Sequence, residues 1–384
     1  MNIDLSIRKI RAFLEKEDFR GYDPYDGLNS PIFRTFSFNQ KVFRITLIQV
    51  MKRCPLNFRS VLGIKKDFIP KGIGLFLWSY AKLYKVTGNS EFLEKIDFFL
   101  NLLVRLKSRG YSGNCWGYNF DWQSRAFFLP KFTPTIVNSS FVGHALIDTY
   151  QFTAKERALE MALPISAFIL RDLNRKEDAR GICFSYSPLD ESSVHNANLL
   201  GASLLIRLYK FLHEEELKDT ALASLAYSMS YQREDGSWYY AETDYQRWID
   251  SFHTGFNLQS ILYFLEEGYG FEYKDAFKKG VRFYAENFFL DDGAPKYYYD
   301  KTYPLDIHSA AQALVLFSRV GGYAPLMEKI HQWMLKTMQD EEGFFYYQKN
   351  RFFINKIPYI RWAQAWAFHA LTEFWLFQKG GSSC

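Results

Sequence analysis

One pattern recurs along this chain at a step of 55 to 58 residues, and that spacing restricts the fold to an array of one repeated supersecondary unit. Residues 135–146, 193–204, 250–261, 305–316 and 360–371 share it, and aligning Asn138, Asn196, His253, His308 and Ala363 gives steps of 58, 57, 55 and 55. A degenerate sixth copy spans residues 71–83. Each copy is rich in small and apolar residues and poor in charge, the composition of a helix buried on all sides. Helices of a second kind run between the copies. Residues 89–106 open on Asn89 and Ser90 and carry Phe92, Ile96, Phe99 and Leu103 at helical spacing; a basic turn before Gly110 stops them. Similar amphipathic stretches lie at 158–173, 217–231, 275–289 and 325–338.

Buried and half-exposed helices alternating in this way are expected to close into two concentric rings. The fold expected is therefore an all-α (α/α)6 toroid over residues 61–379. A ring buries the apolar face of every hairpin against a neighbour, whereas an open solenoid leaves hydrophobic ends. The competing open superhelix of the TPR kind has a repeat of only about 34 residues. Residues 1–60 are expected as a non-repeat N-terminal extension packed on the toroid. Within them, residues 21–27 are turn chemistry: either a plain capping strap, or a strap that brings Asp23 or Asp26 over the mouth. Residues 380–384 read as a flexible tail.

In such a ring the inner helices run parallel, so their N-termini and the loops before them share one mouth. Those loops hold much of an unusually aromatic composition, 19% of the chain with 26 Tyr, 37 Phe and 9 Trp. Trp116, Tyr118, Tyr186, Trp238, Tyr240 and Tyr299 sit there, with Asp121, Gln123 and Arg125 in the first loop. The first turns of the inner helices add Asn138, His195, Asn196, Asn257, Arg361 and Gln364. A buried helix should not carry such groups unless they are paired or used. Helix capping explains any one of them alone; recurrence on one rim across five copies favours a site. Aromatic faces beside amide and hydroxyl groups suit sugars, and these residues are the candidate substrate-binding set.

The candidate catalytic residues are Asp250, His253, Asp306 and His308, because each pair puts a carboxylate and an imidazole within one helical turn in adjacent repeats. Two carboxylates across a cleft would divide acid and base roles in glycoside hydrolysis. A His or Tyr would instead abstract a proton beside a uronate carboxylate, with Arg361, Arg247 or Arg125 neutralising the developing charge. A metal held by His253, His308 and Asp306 matches no motif spacing, so neither metal nor cofactor is expected. His144 and His369 are expected in the core, and His213 and His331 in structural positions.

Several classes are set aside by composition. The net charge of +5 is spread along the chain rather than clustered, so nucleic acid is not an expected partner. The longest uncharged apolar runs, such as residues 72–81, fall short of the roughly 18 residues a membrane span needs. The start has no apolar h-region, and Cys54, Cys115, Cys183 and Cys384 form no CxxC pair, so a reducing cytoplasm is the expected setting.

Two resemblances add to this reading. Gln232, Asp235, Gly236 and Trp238 form a segment that resembles the Q-x-x-D/E-G-x-W motif of triterpene cyclases and protein prenyltransferases, echoed at Gln339, Glu342, Gly343 and Phe345. That likeness implies that the end of an outer helix is tied to the next hairpin; the acid clusters and zinc set of those enzymes are missing, so terpenoid processing stands as a third alternative behind the glycan readings, one that expects a deep dry cavity lined by Phe. The segments 21–27, 115–123, 194–198 and 249–256 are similar to bacterial proteins associated with surface-polysaccharide biosynthesis. The repeats more distantly resemble glucuronyl C5-epimerases and six-hairpin glycosidases. This implies an enzyme acting on a glycan or uronate-containing polysaccharide, as epimerase, lyase or hydrolase. The alternative is a non-catalytic glycan-binding scaffold.

Overall fold

The six apolar segments form six helices that pack side by side and return to their starting point. The computed structural model describes residues 2–35 and 40–380, so the tail beyond Gly380 lies outside the described residues. In chain order the helices are α1 (Ile3–Lys16), α2 (Pro31–Thr35), α3 (Lys41–Arg53), α4 (Pro70–Thr87), α5 (Glu91–Leu106), α6 (Ile136–Thr153), α7 (Glu156–Ala162) and α8 (Ile165–Asp172). They continue with α9 (His195–Leu212), α10 (Glu215–Met229), α11 (Ser251–Glu266), α12 (Lys274–Asn287), α13 (Ile307–Val320), α14 (Ala324–Trp333) and α15 (Trp366–Gln378). Single π-helical turns follow α14 at Met334–Met338 and precede α15 at Ile360–Ala365. Helices α4, α6, α9, α11, α13 and α15 each pack on the next, and α15 packs on α4. The inner ring is closed.

Side-chain size sets how tightly it closes. A Cβ on Gly201 of α9 would lie 2.3 Å from Ile136 Cδ1, and one on Gly143 of α6 would lie 2.5 Å from Leu204 Cδ2. Glycine at both positions lets α6 and α9 approach within side-chain contact. Caps fix where inner helices start: the Thr135 hydroxyl accepts from Asn138 N at 3.1 Å, and Asp250 and Asp306 do the same for α11 and α13.

The outer ring is α5, α7 with α8 (one helix interrupted at Pro164), α10, α12 and α14, each on its inner partner. The sequence pattern supplies only these five outer helices after residue 89. The sixth comes from the opposite end of the chain: α1 packs on α15, burying Ile3, Ile7, Ile10 and Leu14. Residues 3–16 thus sit inside the repeat architecture, whereas the sequence pattern leaves residues 1–60 outside it. The glycine motifs show the same geometry twice. Gln232 Nε2 donates to Gly236 O and to Ala276 O on the neighbouring α12. Gln339 Nε2 donates to Gly343 O and to Ser6 O on α1.

The bore of the ring is plugged toward the C-terminal ends of the inner helices. There Asp148 of α6 takes Trp78 Nε1 at 2.7 Å and pairs with Arg207, and Lys82 pairs with Glu373 and contacts His369 Nδ1 at 3.2 Å. His144 stacks on Tyr263 beside Arg207. Buried ions of this kind persist only when each has a partner. Among the described residues, the bore opens at the other end, where short hairpins and a four-stranded sheet (Lys296–Tyr298, Lys301–Asp306, Gln348–Lys349, Ile354–Asn355) form the rim.

Candidate functional site

The N-terminal strap finishes the mouth. The Asp23 carboxylate accepts two hydrogen bonds from Arg361, at 2.6 and 2.8 Å, and Arg59 pairs with Asp26 at 2.6 Å, so both acids are engaged and neither lines the opening. Anchored in this way, the strap lays α3 across one side, with Ile45, Ile48, Gln49, Lys52 and Arg53 facing inward. Lys52 Nζ donates to Tyr25 OH at 2.7 Å; burial, partly offset by the carboxylate of Asp306, lowers its amine to about 8. Beneath α3 is a cavity of ≈ 690 Å³, within the usual size range of small-molecule sites.

Of the residues that the sequence places at the mouth, Tyr118, Gln123, Arg125, Tyr186, Asn196, Tyr240, His253, His308 and Arg361 line this cavity. The rest do not. Trp116 and Trp238 turn into the core, their indoles donating to Leu103 O and Ser228 O. Tyr118 and Tyr240, two residues further on in the same loops, line the cavity instead. Asn138 bonds Thr135, Gln364 clamps both the N–H and the carbonyl of Phe345, and His195 packs on Tyr231. Asp121 accepts from Lys131 N, Tyr299 leans on Phe283, and Asn257 is buried outside the lining.

The four catalytic candidates separate into histidines that face the cavity and aspartates behind them. Asp250 caps α11, with Oδ1 accepting from His253 N at 3.0 Å. Its Oδ2 receives Trp248 Nε1 at 2.9 Å and lies 2.7 Å from His253 Nδ1. This fixes the ring and leaves Nε2 without a partner among the described residues. Asp306 caps α13 and receives Gln348 Nε2 at 2.6 Å and Trp362 Nε1 at 3.3 Å; burial, against those hydrogen bonds, raises it to about 6. His308 is sandwiched between Phe252 and Trp366, with ring centroids at 4.6 and 4.4 Å and both ring nitrogens without a partner among the described residues. Burial, with Lys71 and Arg361 nearby, holds its imidazole well below the usual range, and therefore neutral.

The candidate site set left out several groups that line the cavity, although Trp122, Tyr297 and Tyr298 belong to the aromatic clusters expected at the mouth. Lys71, Tyr25, Lys52, Trp122, Trp248, Tyr297, Tyr298, Gln348 and Trp362 all line the cavity. Lys71 carried a usable signal, since a charge in an apolar helix needs a partner or a use. Trp248 stacks on Tyr240 at 4.6 Å and 13°, and that pair continues onto His253. Among the described residues that line the cavity, none is Asp or Glu, while five are Lys or Arg.

No family model matches the sequence, and no curated protein matches it. Solved structures do. A cellobiose 2-epimerase from Bacillus thermoamylovorans superposes with a TM-score of 0.63 at 14% identity, over 80% of this chain and 87% of that one. The Lin0763 protein from Listeria innocua gives 0.65 at 14% identity over 100% and 99%. A GH76 α-mannanase from Bacteroides thetaiotaomicron gives 0.59 at 13% identity over 81% and 87%. At such identities the likeness establishes the toroid and nothing finer. Among the described residues, no helix is long and apolar enough to cross a membrane.

Proposed function

We propose that this protein is a carbohydrate-modifying enzyme that transfers a proton at a sugar carbon, by epimerisation or elimination, with His253 exchanging the proton. The observation that carries the reading is the Asp250–His253 pair at the cavity wall. A carboxylate on Nδ1 sets the tautomer that leaves Nε2 as acceptor and stabilises the imidazolium that forms. Aromatic faces from Tyr240, Trp248 and Trp122 suit stacking on a pyranose. Hydrolysis of a glycosidic bond ordinarily needs two carboxylates flanking the bond, and the described lining residues offer none. The epimerase and mannanase among the structural neighbours support a sugar ligand and leave both chemistries open on this fold. Asp306 belongs to this reading as a positioning residue, holding Trp362 and Gln348 in the wall. A place in surface-polysaccharide biosynthesis and a cytoplasmic setting are part of the same proposal, carried by the sequence resemblance and the cysteine spacing.

The test is product analysis. The protein is incubated in D2O with a panel of free aldoses, disaccharides and uronate oligosaccharides, and the products are followed by NMR. Deuterium at a sugar carbon, with inversion or a new double bond, is the expected result. Glycosidic cleavage without carbon-bound deuterium contradicts the reading.

A further inference from the structure

The lysines of α4 show two opposite treatments of the same buried group. Lys82 is fully buried and fully answered, by Glu373 and His369. Lys71, at the second position of the same helix, is 2% exposed and has no hydrogen bond or ion pair among the described residues. Its ammonium position lies over aromatic faces only, 3.8 Å from the Phe141 ring centroid, 5.0 Å from Phe256 and 5.2 Å from Trp366. The acid whose charge reaches it, Asp23, is held by both arms of Arg361. Leaving a lysine this dry without a counter-charge is unfavourable to folding, so its persistence points to a ligand.

The surroundings agree on the sign of that ligand. Lys71 borders the cavity, as do Arg361, Lys52, Arg53 and Arg125, with no acid among the described lining residues. Lys71 stands in the first turn of α4, where the helix dipole favours an anion. Three further lining residues hold buried polar atoms with no partner among the described residues: both nitrogens of His308, Oδ1 of Asn196 and Oε1 of Gln123, the two amide oxygens being placed to accept from a ligand's hydroxyls. Burial and the adjacent Arg361 hold the amine well below the usual lysine range, and an oxyanion beside it would favour the ammonium form.

We propose that the cavity floor is an oxyanion seat, so that the sugar taken by this site carries a carboxylate or a phosphate that docks on Lys71 with its charge inward. The inference rests on the sugar reading of the same cavity and narrows it to acidic sugars. The oxyanion accepts a hydrogen bond from Lys71 Nζ, and the neutral His308 ring donates or accepts beside it according to its tautomer. Aromatic walls cover the ring behind.

Calorimetry on the full chain with glucuronate, glucose 6-phosphate and glucose tests this, using wild type and Lys71→Met. At least one acidic sugar is expected to bind wild type roughly 10- to 100-fold more tightly than glucose, the worth of a charge-assisted hydrogen bond to a buried ammonium; which of the two it is identifies the anion. Lys71→Met is expected to lose that preference and to melt at the same or a higher temperature, because an unsatisfied buried amine is removed. Wild type that binds glucose as tightly as both acids overturns the proposal, with or without a folded variant. A folded Lys71→Met that keeps the acidic preference overturns it too. Carbon-bound deuterium on a neutral sugar with no acidic preference removes this inference and leaves the proton-transfer reading intact; acidic-sugar binding with no exchange on any sugar does the reverse.

Discussion

His253 Nδ1 lies 2.7 Å from Asp250 Oδ2, while the other oxygen of that carboxylate caps the helix on which His253 sits. One aspartate therefore sets both the start of α11 and the orientation of the ring. The two roles are separable by substitution. Asp250→Asn keeps a good cap, so stability should change little, but an amide presents Nδ2 or Oδ1 without the charge that fixes the tautomer. Turnover should fall by roughly 10² to 10⁴ with the melting temperature nearly unchanged. Asp250→Ala should show the same loss of turnover together with about 1 kcal/mol or more of lost stability. Equal turnover in Asp250→Asn and wild type speaks against the orienting role.

Asp306 should leave a mark on acid stability. Its folded value, raised to about 6 from 3.8 by burial, means that the folded protein holds this proton over a range where the unfolded chain has released it. The contribution is complete below about 4 and disappears as pH rises through about 6. Denaturation of wild type and Asp306→Asn between pH 4 and 7 should therefore show wild type losing ground to the variant by about 1–3 kcal/mol as pH rises. Parallel stability curves contradict this.

The seating of α1 is tested at Gly343. Its φ is +97°, and an added Cβ would fall 2.4 Å from the backbone oxygen of Lys9. Gly343→Ala combines left-handed strain with a backbone clash, which should cost about 1–3 kcal/mol and loosen α1 from α15. Limited proteolysis should then cut within residues 1–20 faster than in wild type. Removing residues 1–16 altogether should destabilise by several kcal/mol, since four buried aliphatic side chains at about 1.5–3 kcal/mol each lose their place.

Trp122 packs at the cavity wall among Tyr25, Tyr118, Phe127 and Tyr186, without a hydrogen bond from its indole to the proton-transfer pair. Trp122→Ala should weaken sugar binding roughly tenfold and leave kcat within about threefold, the pattern of a contact made equally before and during reaction. A fall in kcat with unchanged KM places Trp122 in the chemistry instead.

The ring was legible because its inner helices obey one phase: Asn138, Asn196, His253 and His308 all fall in first turns, and a stretch buried on every side can only be inner. The closing helix was not, because α1 lies some 350 residues before the inner helix that it covers. A cue existed in the second glycine motif, whose Gln339 reaches Ser6 as Gln232 reaches α12, but a motif names no partner. In the site, first-turn position singled out His253 and His308, which both line the cavity. It did not say which loop aromatics face inward, since that depends on long-range partners: the indoles of Trp116 and Trp238 are drawn into the core by Leu103 O and Ser228 O, while Tyr118 and Tyr240 line the cavity. Nor did it flag Lys71, which sits in the least regular repeat, or α3, whose position depends on the Asp23–Arg361 pair across 338 residues of sequence.

The central claim is that His253 moves a proton to or from a sugar carbon, and isotope wash-in tests it most directly. A substrate identified from the panel is held in D2O with wild type, His253→Ala and Asp250→Asn, and carbon-bound deuterium is counted with time. Steady wash-in by wild type, none above background with His253→Ala and slow wash-in with Asp250→Asn is the predicted outcome. Undiminished wash-in by a folded His253→Ala contradicts the account.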